Sequence, residues 1–340
     1  MYTSPNFCIL DEETFSLRIP DDRDYKILQL TDLHLGFGLF SGKKDRLALS
    51  AVTELIRRTN PDLIVLTGDS VFPFFLKSGT MNNRKQAQKL LAFLDDFQIP
   101  YTFVFGNHDC EMGSACNKEQ LADIFATGKY AVFTKGRYEH SVKNPIAGVG
   151  NFVLNLVDSE DHLLLPLIML DSNMYGDGWF FSGFDCIHED QTDWCMEKLH
   201  AGKVPAMAFF HMPPAEFKEA YEKMKLGDHS VIYEHGSIGE KDEYFGISNR
   251  SPHFFQKAVD NGLLKWIFCG HDHLNTLSLT YQGIRMTYGM SIDYLGYSGI
   301  AKQYVQRGAT LITRRPDGEV AIFMVPLTKV VSTRVRGEKS

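Results

Sequence analysis

Residues 25–34 read YKILQLTDLH, an apolar run that ends in the triplet Asp32-Leu33-His34. Residues 62–69, DLIVLTGD, repeat the arrangement, because a second apolar run leads directly into Gly68 and Asp69. Short apolar runs bounded by polar turn residues are typical of buried strands. The two stretches therefore predict two strands, each of which ends in side chains that can bind a metal.

Helical patterns separate these strands and the next one. Apolar residues recur at helical spacing in residues 44–60, before Pro61, and again in residues 84–98. The predicted strand 101–105 then runs into Gly106-Asn107-His108-Asp109. The order strand, helix, strand, helix, strand indicates parallel strands joined by crossover helices that pack on the sheet.

The second half of the chain continues the pattern. Predicted strands at 163–170, 204–210 and 263–269 alternate with predicted helices at 192–200 and 252–260. Strand 204–210 leads into His211, and strand 263–269 leads into Gly270-His271-Asp272-His273. The tail runs 284–287, 309–313 and 320–325 are separated by Gly, Pro and Asp, which predicts antiparallel strands that complete a second sheet.

Length and composition fit one soluble globular unit. The chain has 340 residues with 44% hydrophobic and 23% charged residues, and it contains no repeat and no Gly/Ser-rich or Pro-rich linker. We expect a single domain over residues 1–340, with a motif-bearing core at about 24–330.

Charge and terminal sequence restrict the class of protein. The net charge of -7 argues against binding to nucleic acid, whose affinity rests on clustered Lys and Arg. The N-terminus lacks the basic and apolar regions of a signal peptide, and no apolar run reaches the roughly 18 to 20 residues of a membrane helix. The six cysteines are scattered without a CxxC pair, which fits neither disulfides nor structural zinc. We expect a cytoplasmic protein without a membrane partner.

Polar clusters at the ends of successive strands converge in space, because ligands of open α/β sheets bind beyond the carboxyl ends of the strands. Assembled, they supply imidazole and oxygen ligands suited to transition-metal or zinc ions. The candidate ligands are Asp32, His34, Asp69, Asn107, His211, His271 and His273. One metal needs only three or four of these ligands, so their larger number favours two ions bridged by one carboxylate. We expect Asp69 to be the bridging carboxylate. Two ions about 3.5 to 4 Å apart can lower the pKa of a shared water and neutralise charge in an in-line displacement at phosphorus.

The ordered blocks DxH, GD, GNH, H and GHxH resemble the signature of the calcineurin-like metallophosphoesterases. The resemblance implies a four-layer α-β-β-α sandwich of two mixed sheets and hydrolysis of a phosphomonoester or phosphodiester by a metal-bridging water or hydroxide. It implies one metal on Asp32, His34, Asp69 and His273, and a second on Asp69, Asn107, His211 and His271. It further implies that His108 contacts the phosphate and protonates the leaving group, with Asp109 orienting its ring.

The stretches KILQLTDLHLG, FGNHD and CGHDHLN more narrowly resemble a branch related to the purple acid phosphatases. The purple enzymes bind ferric iron through a tyrosinate three residues after the bridging Asp, where this chain has Phe72, and DxH stands here in place of their DxG. We therefore expect manganese, ferrous iron or zinc, all of which accept imidazole and carboxylate ligands.

Each motif block has an alternative structural interpretation, and the protein as a whole has alternative functions. Any one block alone is more often a polar turn, since Asn and Asp tolerate left-handed backbone, but five at successive strand ends favour catalysis. The rival functions are a nuclease and a catalytically inactive metal-bound interaction scaffold. We expect a small-molecule phosphate ester as substrate, with a phosphoprotein as second candidate.

Long loops beside the clusters are expected to shape substrate choice. They are predicted at 72–83, 110–118, 173–190 and 227–250. Their aromatic residues either stack on the substrate or pack within the loops: Phe74, Phe75, Tyr175, Trp179 and Phe180. Arg250 and Arg307 are candidates for phosphate contact, because a guanidinium binds two oxygens at once.

Overall fold

The computed structural model describes residues 2–141, 143–176, 183–248, 250, 253–297, 300 and 307–327. The predicted stacking residues Trp179 and Phe180, and the predicted helix start at residue 252, lie outside the described residues. The strands are β1 (Phe7–Ile9), β2 (Thr14–Arg18), β3 (Tyr25–Leu30), β4 (Leu63–Thr67), β5 (Tyr101–Val104), β6 (Phe152–Val157), β7 (Leu163–Met169), β8 (Ala206–Phe209), β9 (Val231–His235), β10 (Leu264–Cys269), β11 (Ser278–Tyr281), β12 (Ile284–Tyr288), β13 (Gly308–Arg314) and β14 (Val320–Pro326).

The smaller sheet contains the strands predicted from the opening stretch. Its order is β14-β13-β3-β4-β5, and β3, β4 and β5 are parallel, with Ile27 opposite Leu63 and Ile64 opposite Tyr101. The tail strands β13 and β14 join its other edge as an antiparallel pair. The prediction that the tail completes a second sheet is therefore wrong for β13 and β14, which lie in one mixed sheet with β3, β4 and β5.

The larger sheet has the order β1-β2-β6-β7-β8-β10-β12-β11-β9. Strands β7, β8, β10 and β12 are parallel neighbours, so their carboxyl ends lie at one edge. The tail strand β12 is antiparallel to β11, as predicted, but on its other side it is parallel to β10, where Trp266 pairs with Arg285. The short hairpin β11–β12 reverses the chain and brings β12 back alongside β10.

Side-chain alternation along the strands explains why the sheets stack. In β8, Met207 and Phe209 pack in the core between the two sheets, whereas Ala206 and Ala208 pack against helices on the opposite face. Such a period of two, apolar on both faces, is expected of a strand buried between two layers. The fold is therefore an α/β sandwich of two mixed sheets covered by helices, which confirms the predicted fold class.

The helices are α1 (Gly42–Thr59), α2 (Phe75–Ser78), α3 (Asn83–Asp95), α4 (Lys118–Phe125), α5 (Glu189–Gly202), α6 (Ala215–Lys225) and α7 (Phe254–Asn261). Buried residues of α1, α3 and α4 belong to the core between the sheets and beneath these helices, and those of α5, α6 and α7 belong to the second core. The helices thus form the two outer layers.

Several predicted boundaries shift for local reasons. Helix α3 ends at Asp95, and Gln98, its predicted last residue, has a positive φ of 57°, which lies outside the right-handed helical region. Helix α1 ends where Asn60 adopts the left-handed conformation, one residue before Pro61. The predicted loop 227–250 contains strand β9.

No helix within the described ranges is both long and apolar enough to cross a bilayer.

Candidate metal centre

The edge of the sandwich at the carboxyl ends of β3, β4, β5, β8 and β10 gathers the candidate ligands. The ligands form two groups. The first group is Asp32, His34, Asp69 and His273, and the second is Asp69, His211 and His271. Within each group, the potential ligand atoms lie within 4.8 Å of one another. Oδ1 of Asn107 lies 3.2 Å from Nε2 of His211, so this amide adjoins the second group.

Asp69 belongs to both groups through one oxygen. Its Oδ2 lies 3.4 Å from Nε2 of His34 and 3.2 Å from Nε2 of His211. Its other oxygen, Oδ1, accepts a 2.7 Å hydrogen bond from the backbone N–H of His108. That bond fixes the carboxylate, so that Oδ2 faces both imidazoles.

The donor atoms fit transition-metal ions. Nε2 of His34 and Oδ2 of Asp69 are buried and have no hydrogen-bond partner among the described residues. Buried polar atoms in native proteins nearly always have a bonding partner. These two neighbouring atoms lack one within the described part of the chain, and a bound metal ion would supply it. Imidazole nitrogens and carboxylate oxygens are the ligands that zinc, manganese and iron accept.

The backbone of the ligand loops is held in an unusual conformation. Asp32, His34, Asp69 and His271 have φ values of 52°, 47°, 50° and 75°. Residues other than Gly rarely adopt the left-handed region, and such conformations concentrate at functional sites. Here they turn each side chain into the cluster directly after its strand.

Two glycines allow the loops to approach one another. A Cβ on Gly106 would lie 2.2 Å from Oδ1 of Asp69, and a Cβ on Gly68 would lie 2.4 Å from Nδ1 of His211. Gly68 also has a φ of 87°. The Gly of each block is therefore required by close packing against a candidate ligand from another loop.

Neighbouring groups fix the orientation of two candidate ligands. Nδ1 of His211 lies 2.8 Å from the carbonyl oxygen of Thr67, a contact in which the ring donates and keeps Nε2 as the acceptor. Nδ2 of Asn107 donates to the hydroxyl of Tyr175 at 3.1 Å, which directs Oδ1 of the amide toward His211.

The cluster attracts positive charge. Burial alone would lower the pKa of His34, but the carboxylates of Asp293 and Asp69 outweigh it and raise the pKa to about 10. The pKa of His211 rises to about 9 against the same burial effect, through Asp69. By contrast, burial and the neighbouring His211 lower the pKa of His271 well below its usual value. The carboxylates thus favour cations, either protons or metal ions, between them.

His108 lies at the mouth of the cluster, with its ring centroid 5.3 Å from that of His34. Its Nδ1 contacts the carboxylate of Glu111, three residues further along the chain. Glu111 was not predicted from the sequence, although its spacing of three residues from His108 is a readable signal.

Asp109 differs from its predicted role of orienting the His108 ring. Its buried carboxylate accepts hydrogen bonds from the backbone N–H groups of Asp69, Val71 and Gly106, at 3.1, 3.0 and 2.8 Å. Asp109 therefore ties together the loops that follow β4 and β5, and the contact with the ring falls to Glu111.

Asp293 is a second residue that the sequence did not reveal. Its Oδ2 lies 3.1 Å from Nδ1 of His273 and its Oδ1 lies 3.9 Å from Nδ1 of His34. It follows β12, which is parallel to β10 and so ends at the same edge. Assigning β12 to the parallel sheet would have placed Asp293 beside the cluster.

Fold and side chains together define a class: an α/β sandwich with a candidate two-metal centre at the carboxyl edge of its strands. A family model described as calcineurin-like phosphoesterase matches residues 25–275, and the chain belongs to that family. The predicted family is therefore confirmed, and the match includes every candidate ligand.

Similar proteins lie close to the purple acid phosphatases, as predicted. The chain is 26% identical over 310 residues to "Probable inactive purple acid phosphatase 28" of Arabidopsis thaliana, covering 83% of this chain and 73% of that protein. It is 27% identical over 284 residues to Phosphatase DCR2 of Saccharomyces cerevisiae, covering 77% of this chain but 46% of that protein. The relatives thus include one named as a phosphatase and one named as inactive.

Among solved structures, a dimetal phosphatase from Danio rerio aligns with a TM-score of 0.54 at 11% identity. The alignment covers 90% of this chain and 100% of that one. At this identity the likeness shows the shared fold.

Proposed function

We propose that this protein is a metal-dependent phosphoesterase that hydrolyses a phosphomonoester or phosphodiester. The observation that carries the proposal is the position of Asp69 Oδ2, which lies between imidazoles of the two ligand groups and has no hydrogen-bond partner among the described residues. A bridging carboxylate between two cations requires that arrangement.

Two ions would be held by the groups described above. The first would use Asp32, His34, Asp69 and His273, and the second Asp69, Asn107, His211 and His271. When bound, the ions would supply Lewis acidity and lower the pKa of the attacking water. Manganese, ferrous iron and zinc suit this set of imidazole and oxygen ligands, and Phe72 offers no phenolate for a purple ferric centre.

His108 would act on the leaving group. An alkoxide departs poorly unless an acid donates a proton, and imidazole is suited to that near neutral pH. Because Nδ1 of His108 contacts Glu111, Nε2 is the ring atom that would donate to the ester oxygen. His108 lines the cleft beside the ligand groups, where a phosphate on the metals would lie.

An inactive metal-binding scaffold is the second candidate, favoured by the name of the Arabidopsis relative. The presence of His108 and of every candidate ligand supports catalysis instead. A nuclease is less well supported, since the net charge of -7 opposes a phosphate backbone. We also propose a small-molecule substrate, ahead of a phosphoprotein, and a cytoplasmic location.

A substrate panel tests the proposal. Metal-stripped protein receives manganese, ferrous iron or zinc and is assayed with p-nitrophenyl phosphate, bis-p-nitrophenyl phosphate and cyclic nucleotides. We expect turnover to return with at least one ion, and the preferred ester to distinguish monoesterase from diesterase. Uptake of two ions per chain without turnover of any ester would support the scaffold.

A further inference from the structure

The cleft above the ligand groups has a volume of about 1080 Å³ and is mainly apolar beyond its histidine floor. Its walls include Phe74, Met112, Met174, Phe184, Tyr244 and Tyr297. Phe74, Met112 and Tyr244 are 36%, 88% and 54% exposed, so they present apolar surface that the fold itself does not bury. An apolar cleft with a few polar groups at its base is typical of a small-molecule site.

The apolar surface continues past the mouth of the cleft. Phe75 follows Phe74 and is 50% exposed, and its ring lies 6.1 Å from that of Phe40, which is 61% exposed. Leu39 and Leu76, which adjoin Phe40 and Phe75 in the sequence, are 83% and 78% exposed. Contiguous exposed apolar residues next to a site commonly extend its binding surface.

Charge in the cleft limits how many phosphates the substrate carries. Among the described lining residues Lys77 is the one Lys or Arg side chain, and its ammonium contacts the carbonyl oxygen of Gly296. The carboxylates of Glu111 and Glu240 line the same cleft. A second phosphate would meet these acids without an arginine clamp, which is the usual partner of phosphate oxygens.

The predicted phosphate-binding arginines lie elsewhere. The guanidinium of Arg307 stacks on the ring of Tyr294 at 3.9 Å, and its Nε donates to the carbonyl oxygen of Asp293. Arg250 lies 3.5 Å from Asp185. Neither is among the described residues that line the cleft.

We propose that the substrate carries a single phosphate on a bulky apolar organic group, and that the walls around Phe74 and Tyr244 bind this group. The inference rests on the proposed phosphoesterase function and specifies its substrate class. An aromatic ring would contact the walls alone, whereas a long alkyl chain would also reach Phe75 and Phe40.

A series of primary-alcohol phosphates with similar leaving groups tests the apolar preference. Benzyl phosphate, decyl phosphate and glycerol 3-phosphate are compared by kcat/KM with the metal-reconstituted full chain. Inorganic pyrophosphate, which releases phosphate instead of an alcohol, is assayed separately as a compound with a second phosphate. We expect benzyl or decyl phosphate to exceed glycerol phosphate by about tenfold or more, because burying apolar surface stabilises the complex. Comparable kcat/KM for glycerol phosphate or pyrophosphate would overturn the inference.

Matched phenylalanine variants locate the effect. Phe74→Ala should reduce the preference for the apolar esters about three- to tenfold, whereas Phe323→Ala, at a 52% exposed position on β14, should leave it unchanged. In Phe75→Ala, loss of the decyl preference would indicate that a long chain reaches Phe75, whereas an unchanged decyl preference would restrict the bound group to the walls around Phe74 and Tyr244. Equal effects of Phe74→Ala and Phe323→Ala would contradict a binding role for the wall.

Binding separates this inference from the proposed function. Benzylphosphonate and methylphosphonate, which are not hydrolysed, are titrated calorimetrically into metal-loaded protein. We expect benzylphosphonate to bind about tenfold more tightly and with a more negative heat-capacity change. If no ester is hydrolysed, the phosphoesterase proposal fails while this preference still supports the cleft assignment; equal binding of both phosphonates would sink the cleft assignment.

Discussion

The carboxylate of Asp293 lies 3.1 Å from Nδ1 of His273, although the two residues follow different strands of the larger sheet. The same carboxylate accepts hydrogen bonds from the backbone N–H groups of Leu295 and Gly296, both at 2.6 Å. It is therefore fixed in place and presents a rigid partner to the ring of a candidate ligand. Carboxylates in this position orient histidine ligands and raise their basicity.

Asp293→Asn should weaken metal binding, because the neutral amide no longer polarises the ring of His273. We expect affinity to fall by about 10- to 100-fold, measured by competition with a chromophoric chelator at fixed pH. Asp45→Asn is a suitable control, since Asp45 is also buried and accepts from the backbone N–H groups of Gly36 and Phe37 but contacts no candidate ligand. Equal loss of affinity in both variants would indicate general loosening of the fold.

His108→Ala should lower turnover while leaving metal content nearly unchanged. His108 lies outside both ligand groups and would serve as the acid for the leaving group. General acid catalysis contributes about 10²- to 10⁴-fold, which sets the expected loss of kcat. Kinetics and elemental analysis are performed on the same preparation, and loss of metal from this variant would contradict the assignment.

Glu111→Gln should reduce kcat about 10- to 100-fold with little change in KM, because the ring of His108 loses its charged partner. The change keeps the size of the side chain, so metal content should be retained. Glu119→Gln supplies the control, as Glu119 makes the same type of contact with Nδ1 of the exposed His140. An unchanged kcat in Glu111→Gln would exclude Glu111 as a positioning residue.

Glu13 should make a pH-dependent contribution to the free energy of unfolding. Its buried carboxylate lies 2.9 Å from Nζ of Lys198, accepts from Nε1 of Trp194 at 3.1 Å and contacts Arg137. Burial would raise its pKa, but Arg137, Lys198 and Trp194 outweigh burial and hold the pKa below the ordinary 4.5. A lowered folded-state pKa stabilises the protein above pH 4.5, and that contribution is lost as pH falls through the folded value.

Glu13→Gln should therefore lower the free energy of unfolding by about 2 kcal/mol at pH 7. Urea unfolding at several pH values should show the gap between variant and wild type closing below pH 4.5. Glu54→Gln, which removes a partly exposed partner of Arg57 and Arg58, should shift the unfolding midpoint little. A gap that persists unchanged at low pH would refute the charge-based explanation.

The sequence revealed the candidate ligands because each follows an apolar strand, as with His34 after β3 and His211 after β8. It also revealed the order of parallel strands, since helices with clear apolar periodicity separate β3, β4 and β5. Those signals are local and repeat along the chain, so residue spacing alone was sufficient to predict the candidate ligands and the parallel strands. A single domain over residues 1–340 stays a prediction, for which one cooperative unfolding transition is expected.

Other features depend on contacts that spacing does not encode. The hairpin of β11 and β12 brings β12 alongside β10 as a parallel strand. Because the sequence did not predict this pairing, it gave no indication that Asp293 lies beside His273. Asp109 stands next to His108 in the sequence, but its side chain turns back to the backbone of Asp69 and Val71. Helix α4 was not predicted from its apolar pattern. Its sequence does contain a local helix-start signal, the capping box of Asn117 and Gln120.

The shared position of Asp69 is tested most directly by locating the ions. Crystals of zinc-loaded protein should give two anomalous peaks per chain, both within about 2.0 to 2.2 Å of a carboxylate oxygen of Asp69. One peak should adjoin His34 and the other His211. A single peak that does not touch Asp69, or no peak at this edge of the sandwich, would contradict the two-metal centre.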